Sequence, residues 1–418
     1  MSTNEQPDAA RIEANAAAIA VNPVYENERL AELTHWGAPW ANLRVVVVGM
    51  GTSGDAVTDV LAQLGAHIVV IDGADTPEKR ERIEIYKNAY GNVEGLFGPE
   101  HMRALPLVDG QEPELVVTSP GVRPDHPVML DAYERRIQIW GDVELAWRLN
   151  ERSDRLTPKW LCLTGTNGKT TTVGMVDSIL KAAGKKSIQV GNVGMPIVYA
   201  IADDEPYEFF AVELSSFQLH WTYSMSPYAS VVLNIAEDHV DWHGSFDAYK
   251  ADKARVYEHT QVACIFNTDH VDTLRMVENA DVIEGARAIG FSSTEMPAVS
   301  MLGLAEDIMV DRAFLKNRYN EAYELAVLED LAPAPGKMPA KHTVENALAA
   351  AALCRAADID PKAVGAGLRS FKTGAHRNQL VGYANDIMWV NDSKATNPHA
   401  ANASMSGYPS LVWIAGGL

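Results

Sequence analysis

The segment TGTNGKTT at residues 164–171 carries the residue types that bind a nucleoside triphosphate. It lies between an apolar run and a helical pattern, which is the setting of a phosphate-binding P-loop. The backbone N–H groups of such a turn, and the N-terminus of the helix that follows, point at phosphate oxygens. Lys169 would bridge the β- and γ-phosphates, and the Thr170 hydroxyl would bind Mg²⁺. Leu163 stands where the strict pattern has glycine, but the register of Gly168, Lys169 and Thr170 favours a phosphate site over an ordinary strand-to-helix turn.

Two further residues have side chains that suit a divalent metal. Glu213 ends the predicted strand EFFAVEL at 208–214, and His239 follows the predicted strand at 229–235. Because the carboxyl ends of parallel strands meet at one sheet edge, both side chains would lie on the same edge as the P-loop. Taken alone, each has a plainer explanation: Glu213 as a solvated strand end, and His239 as a helix-capping or core histidine.

The elements that must hold such residues follow one pattern of strand, glycine-rich turn and helix. An apolar, β-branched run at 43–48 breaks at GMGTSG (49–54) and continues as a helical pattern. A second strand, 67–72, ends in Asp72 about 20 positions later, as in a dinucleotide-type βαβ unit. A third, at 114–122, stops at a Ser-Pro-Gly turn, where ligands bind in such sheets. The spaced glycines are a weak fingerprint on their own, so a dinucleotide-dependent oxidoreductase is one alternative.

The same pattern starts again at 157–184, which predicts a second domain. An Ala-rich helix is predicted near 344–357, a strand over 387–397, and a last strand over SLVWIAGGL at the end of the sequence. We therefore expect an α/β protein with domains at 1–148, where 1–40 is an unplaced lead segment, at 149–373, and at 374–418.

Charge and composition exclude several classes of function. The 418 residues are 47% hydrophobic, and 35 Lys and Arg against 55 Asp and Glu give a net charge of −20. Because so acidic a surface repels nucleic acid and anionic membranes, we expect neither as a partner. Three widely spaced cysteines argue against disulfides and a zinc site. The sequence shows neither a secretory signal nor an apolar run long enough to span a membrane, so we expect a cytoplasmic protein. We also expect it to be a monomer.

Ten segments, taken together, resemble the Mur ligases, the cytoplasmic enzymes of peptidoglycan precursor synthesis. In chain order they are GMGTSG, TSPGV, GDVELAW, TGTNGKTT, GNVG, ELSSFQL, NIAEDHVD, YKADKARVY, AHR and NDSKATN. The resemblance implies a three-domain architecture. A Rossmann-like domain would bind the UDP substrate, and a central P-loop ATPase domain would have a mainly parallel sheet. The C-terminal Rossmann-like domain would be present only as its first part.

Within the family, the front segments GMGTSG and TSPGV and the segment NDSKATN are most similar to the members that add D-glutamate. The resemblance thus implies ATP-dependent ligation of D-glutamate to UDP-N-acetylmuramoyl-L-alanine through an acyl phosphate. The alternatives are another Mur ligase, a folylpolyglutamate synthase-like amide ligase, and a non-catalytic protein that binds UDP-sugars or nucleotides. The N-terminal βαβ pattern argues against the folylpolyglutamate synthase.

The resemblance also assigns roles to individual residues. The UDP substrate would contact Thr52, Ser53, Asp72, Ser119, Gly121, Asn192 and Ser215. ATP would contact Gly165, Thr166, Asn167, Gly168, Lys169, Thr170, Thr171, Asn346, Arg377, Asp392 and Lys394. D-glutamate would contact Thr396. Two Mg²⁺ ions would be bound by Thr170, Glu213, His239 and Lys253, the last modified to a carbamate. The catalytic set would be Lys169, Glu213, His239 and Lys253. A plainer role for Asp72 is capping a strand end, and for Lys253, Arg377 and Lys394 it is solvated surface charge.

Three features depart from the family pattern. Ala74 stands where an arginine is often found, and Thr343 where the family has an asparagine after its histidine. The turn at Gly416 and Gly417 is followed only by Leu418, whereas in the family it continues into a lysine and a longer segment that contacts D-glutamate. We therefore expect an incomplete third domain, in which nucleotide binding survives more readily than ligation.

Overall fold

The computed structural model describes residues 22–332, 338–374, 376, 379–395, 398–405, 408 and 410–416. The first sheet has five strands: β1 (Arg44–Val48), β2 (His67–Asp72), β3 (Val93–Phe97), β4 (Leu115–Thr118) and β5 (Gln138–Gly141). All are parallel, in the order β3-β2-β1-β4-β5. The strands predicted at 43–48 and 67–72 are confirmed. The strand predicted at 114–122 is shorter, because its last residues form the turn after Thr118.

Helices cover this sheet, as a parallel sheet with apolar strands requires. They are α1 (Glu28–Glu32), α2 (Thr52–Gln63), α3 (Pro77–Tyr90), α4 (Pro127–Glu134) and α5 (Asp142–Leu149). Local sequence sets their ends: α3 begins with Thr76 as N-cap and Pro77 in the first turn, and it ends at Gly91 with φ of 80°. Because α2 starts directly after β1 and its glycine turn, Thr52 and Ser53 lie at the carboxyl edge of the sheet.

Part of the lead segment that the sequence left unplaced packs onto this first sheet. Leu30, Leu33 and Trp40 are buried in its core. The Tyr25 amide donates to the side chain of Gln138 on β5 at 2.8 Å. Residues 22–40 thus belong structurally to the N-terminal unit, which periodicity alone could not indicate.

The second sheet has nine strands. They are β6 (Lys159–Thr164), β7 (Ser187–Gly191), β8 (Phe209–Glu213), β9 (Ala229–Val232), β10 (Ala263–Asn267), β11 (Arg287–Phe291), β12 (Met301–Ala305), β13 (Ile308–Asp311) and β14 (Tyr323–Val327). Their order is β14-β13-β12-β11-β10-β9-β6-β8-β7. In this order the strands from β12 to β7 are parallel, and β13 pairs antiparallel with both β12 and β14. The P-loop strand β6 lies between β8 and β9, so residues that follow either strand flank the loop.

The second unit has eight helices within the described residues: α6 (Lys169–Ala182), α7 (Ile197–Ala202), α8 (Ser216–His220), α9 (Val240–His243), α10 (Phe246–Ala254), α11 (Val271–Glu278), α12 (Lys341–Ala356) and α13 (Pro361–Ser370). The predicted Ala-rich helix is confirmed as α12. Its residues 347–352 are completely buried, because a run of small side chains lets α12 pack closely in the core.

The C-terminal part contributes an antiparallel hairpin of β15 (Gln379–Ala384) and β16 (Ile387–Asn391), and then α14 (Pro398–Met405). The predicted strand over SLVWIAGGL is wrong for the residues that can be described: 411–416 form no strand. An apolar run becomes a strand only where a neighbouring strand offers hydrogen-bond partners, and none pairs with this segment in the described chain. Across the described ranges, every helix is too short or too polar to cross a bilayer.

Candidate active site

The turn between β6 and α6 has the backbone shape of a phosphate-binding loop. Gly165 and Gly168 have φ of 154° and 85°, and Lys169 begins α6. Glycine adopts such angles at little cost, which explains the glycines at these two positions. Asn234, after β9, fixes the turn from the side: it accepts from the Asn167 amide at 2.9 Å and donates to the Asn167 carbonyl at 3.0 Å.

The side-chain nitrogens of two lysines meet at one carbonyl of this turn. Lys169 Nζ donates to the carbonyls of Gly165 at 2.8 Å and Thr166 at 2.9 Å. Lys253 Nζ, on α10, donates to the same Gly165 carbonyl at 2.9 Å and to Thr164 Oγ1 at 3.1 Å. Lys253 is only 2% exposed, so the interpretation of it as a surface lysine is wrong. Burial, together with the charge of Lys169, holds the pKa of Lys253 well below its ordinary value.

Glu213 presents a buried carboxylate beside the P-loop strand. It ends β8 in register with Leu163 of β6 and is 1% exposed, so it is not a solvated strand end. Asn192 Nδ2 donates to Oε1 at 3.0 Å, whereas Oε2 has no hydrogen-bond partner among the described residues. A buried carboxylate oxygen without a partner costs free energy, and a cation would offset that cost. The geometry around Glu213 therefore fits a Mg²⁺ ligand.

His239 is the residue before α9 and has φ of 51°. Its side chain is half-exposed and packs against the ring of Phe217, with centroids 4.8 Å apart. Partial burial lowers the pKa of His239, with the charges of Lys253 and Lys169 acting in the same direction and Asp238 opposing them. This shift favours the neutral imidazole, which is the form that binds a metal.

No cluster of three or more His, Cys, Asp and Glu side chains in the described part of the chain has metal-binding geometry. A metal beside the P-loop would therefore need ligands of other kinds. Hydroxyl and phosphate oxygens are among those that Mg²⁺ takes.

The structure brings together only some of the residues that the sequence analysis assigned to ATP. Asn346 on α12 is buried against the P-loop, where a Cβ at Gly168 would clash with its amide group. Asp392 and Lys394 directly follow β16. Arg377 and Thr396, assigned to ATP and D-glutamate, lie outside the described residues.

Replacing Gly168 with alanine is expected to lower the free energy of unfolding by about 1 to 3 kcal/mol and to weaken nucleotide binding. The new Cβ meets the Asn346 amide, and the backbone there is in the left-handed region. Gly374→Ala is the matched control, because no atom of the described residues lies within 4 Å of the added Cβ. We expect it to stay within about 0.5 kcal/mol of the wild type in denaturant unfolding. Equal stability of the two variants would contradict the packing argument.

The carboxyl edge of the first sheet gathers residues assigned to the UDP substrate. Asp72 accepts from the Met50 amide at 2.7 Å, the Ala74 amide at 2.8 Å and Lys79 Nζ at 2.6 Å. Burial opposes ionisation, but these hydrogen bonds outweigh it and lower the pKa of Asp72. The plainer capping role is thus present in the structure. Lys79, which the sequence analysis missed, places a cation beside Asp72 although Ala74 lacks the family's arginine. On the far side of the turn, Ser119 Oγ donates to the Gly49 carbonyl at 3.0 Å.

A second residue that the sequence analysis missed connects the two units. Asp142, the first residue of α5, accepts from Ser53 Oγ at 2.8 Å and from Gln218 Nε2 at 3.3 Å. Gln218 also forms a capping box with Ser215 at the start of α8. Burial raises the pKa of Asp142 above its ordinary value. One carboxylate therefore joins the turns that carry two residues assigned to the UDP substrate.

Comparisons with known proteins agree with this arrangement. Residues 43–141 match the Mur ligase MurD-like N-terminal domain, and residues 163–354 match the Mur ligase middle domain. Three curated relatives are named UDP-N-acetylmuramoylalanine--D-glutamate ligase. The one from Leifsonia xyli subsp. xyli is 46% identical, over 94% of this chain and 76% of its own length. The one from Streptomyces avermitilis is 46% identical (91% and 78%), and the one from Tropheryma whipplei TW08/27 is 37% identical (93% and 79%).

Among solved structures, MurF from Acinetobacter baumannii is 14% identical, with a TM-score of 0.49, over 91% of this chain and 74% of that one. The assignment rests on the sequence relatives, whose identity extends over most of both chains. With these matches, the chain belongs to the Mur ligase family.

Proposed function

We propose that this chain is a cytoplasmic, ATP-dependent ligase that joins D-glutamate to UDP-N-acetylmuramoyl-L-alanine for peptidoglycan synthesis. The observation that carries the proposal is the 46% identity to a D-glutamate ligase over 94% of the chain, because that span includes the P-loop, Glu213 and Lys253. We further propose that the chain acts as a monomer.

The first step is transfer of a phosphoryl group. A carboxylate oxygen of the substrate's L-alanyl group attacks the γ-phosphorus of ATP, the bond to the β–γ bridging oxygen breaks, and ADP leaves. Because both reactants are anionic, the barrier is largely electrostatic. Lys169 swings its ammonium from the loop carbonyls to the phosphates, and the amides at the start of α6 bind phosphate oxygens. Asn346, held against Gly168, places the adenine, and Arg377, Asp392 and Lys394 complete the ATP contacts.

Mg²⁺ is the second requirement that we propose, and Glu213 Oε2 is the best-supported ligand because it is buried and has no hydrogen-bond partner in the described part of the chain. Thr170, His239 and Lys253 would complete a site for two ions. Mg²⁺ supplies positive charge that offsets the charge of the phosphates and of the reacting carboxylate. We propose that Lys253 is carbamylated: its lowered pKa favours the neutral amine, which can bond to the carbon of CO₂, lose a proton and become an anionic oxygen ligand.

The second step forms the amide. The amine of D-glutamate attacks the acyl carbon, loses a proton, and the bond from that carbon to the phosphate oxygen breaks. Thr396 would contact D-glutamate. Because the assigned ATP contacts come from the central unit and from the segment after β16, closure of one on the other would exclude water that hydrolyses the acyl phosphate.

In this proposal the first sheet holds the UDP part of the substrate. Its contacts would come from Thr52, Ser53, Asp72, Ser119 and Gly121, with Asn192 and Ser215 reaching the muramoyl group. Asp142 supports the proposal, since it connects the turn of Ser53 to the helix that Ser215 caps.

Mass spectrometry of a reaction with ATP, Mg²⁺ and UDP-N-acetylmuramoyl-L-alanine tests the function directly. We expect a product heavier by one glutamyl residue with D-glutamate, together with phosphate release, and none with L-glutamate. Ligation of another amino acid in preference to D-glutamate would move the chain to another branch of the family. If the folded protein forms no product and releases no phosphate, the proposal is contradicted.

A further inference from the structure

A buried carboxylate that the reaction does not use directly lies beside the candidate metal site. Asp252 is 3% exposed and accepts from His220 Nδ1 at 3.0 Å and from His243 Nδ1 at 2.8 Å. Because an ionised carboxylate only accepts, both imidazoles carry hydrogen on Nδ1. His243 Nε2 lies 2.9 Å from Ser216 Oγ, within hydrogen-bond distance. Arg255 Nε lies 3.4 Å from the other oxygen of Asp252.

These contacts join three short elements. Ser216 and His220 are the first and last residues of α8, and His243 is the last residue of α9. Asp252 itself belongs to α10. One carboxylate thus fixes the relative placement of α8, α9 and α10.

Each of the three elements carries or adjoins a residue assigned to the metal or the substrate. Glu213 and Ser215 directly precede α8, His239 directly precedes α9, and Lys253 follows Asp252 within α10. The Asp252 contacts therefore fix the segments from which the candidate metal ligands extend.

The three elements need such a contact to have one orientation. The helices α8 and α9 have only five and four residues, far below the length at which a helix is stable alone. Their placement must come from tertiary contacts. Charge-assisted hydrogen bonds to a buried carboxylate are strong and directional. On the opposite side, α10 is set against the P-loop by Tyr249 OH, 2.8 Å from Thr166 Oγ1, and by Lys253.

We propose that Asp252 is a positioning residue of the Mg²⁺–nucleotide site, holding Glu213, His239 and Lys253 in place through His220 and His243. It contacts no reacting atom and acts through the elements that carry the ligands. This inference rests on the proposed function, to which it adds a support that neither the motifs nor the comparisons assign.

The test measures nucleotide binding by calorimetry on the intact chain, with AMPPNP in the presence of Mg²⁺ or EDTA and with UDP alone. Asp252→Asn keeps the size of the side chain but removes the charge and turns one acceptor into a donor. Loss of a residue that orients metal ligands lowers metal affinity by about 10- to 100-fold. We expect that loss for AMPPNP with Mg²⁺, and less than about twofold for AMPPNP in EDTA and for UDP.

Asp311→Asn is the matched control. Asp311 is equally buried and accepts from Arg355 at 2.8 Å and from two backbone amides, but it lies on β13, away from the P-loop. Its loss should lower the melting temperature without changing Mg²⁺-dependent binding. Asp252→Asn giving the same result as Asp311→Asn would overturn the proposal.

A second pair of variants, His243→Asn and His243→Ala, tests the proposal if Asp252→Asn folds poorly. The amide nitrogen of asparagine occupies nearly the place of imidazole Nδ1, so His243→Asn should retain most of the Mg²⁺-dependent affinity that His243→Ala loses. Equal affinity of the two variants counts against the proposal.

A double-mutant cycle that combines Asp252→Asn with Lys253→Met tests whether Asp252 acts through the metal ligands. We expect Asp252→Asn to cost less in the Lys253→Met background than in the wild type, because residues that act through one site are not additive. Full additivity would overturn the proposal. Since the readout is binding, a wild type that binds AMPPNP with Mg²⁺ but forms no amide refutes the proposed reaction and leaves this comparison valid. A wild type without Mg²⁺-dependent binding refutes both.

Discussion

Alanine at position 169 is expected to lower ATP-dependent ADP formation by about 100- to 1000-fold, the usual cost of removing one preorganised donor from a developing charge. Lys169 lies at the first position of α6, and its ammonium already rests on the Gly165 and Thr166 carbonyls of the loop that would hold the phosphates. The rate of ADP release at saturating UDP-N-acetylmuramoyl-L-alanine measures the effect. UDP binding should stay within about twofold, because its assigned contacts lie on the first sheet.

Lys181→Ala is the control for that variant. Lys181 is on the same helix, its side chain is 60% exposed, and it pairs with Asp177 one turn away. We expect its loss to leave turnover within about twofold, because the Lys181 ammonium is solvent-exposed and the buried Asp177 keeps its hydrogen bonds from Ser187 and Gln189. Turnover by Lys169→Ala at the level of Lys181→Ala would remove the P-loop from the mechanism.

The parts of the fold that sequence predicts are those in which local pattern decides the structure. Apart from Arg44, the run at 43–48 is apolar and ends in four valines; it breaks at glycines, and it becomes β1. The P-loop follows the same logic, because strand, glycine turn and helix are contiguous in the chain. The run at 411–416 looks equally strand-like but pairs with no strand in the described chain, since a strand depends on a partner that its own residues do not encode.

The remainder of the site depends on contacts between distant segments, which no local pattern contains. Lys253 is buried because α10 packs on a loop 88 residues earlier. Asn346 reaches Gly168 from a helix near the other end of the central unit. Asp142 meets Gln218 from 76 residues away. Its segment GDVELAW was singled out as a motif, but in sequence Asp142 is only an acidic helix start.

Burying ionisable groups lowers the free energy of unfolding. Their presence at the site is therefore itself an argument that they serve a function. Glu144, a few residues along α5, shows what a structural carboxylate looks like. It is fully buried and is satisfied by Arg148 at 2.8 Å and by the amides of Tyr223 and Ser224 at 2.9 Å each. Glu213 is as deeply buried, yet one of its oxygens has no partner among the described residues. A carboxylate kept at such cost is more readily explained by a ligand than by stability.

The two carboxylates should therefore respond in opposite ways to the same substitution. Glu213→Gln is expected to lower ATP-dependent turnover by about 100-fold or more, because a metal ligand supplies several kcal/mol of charge stabilisation. Its free energy of unfolding without ligands should be unchanged or higher by about 1 kcal/mol, since a neutral amide is cheaper to bury than a charged oxygen without a partner. Glu144→Gln should lose about 3 to 5 kcal/mol of stability through the broken pair with Arg148, yet keep near-normal turnover per folded molecule. Denaturant unfolding and turnover at saturating Mg²⁺ measure both variants. If Glu213→Gln is destabilised like Glu144→Gln and still turns over, Glu213 is structural and the metal site lies elsewhere.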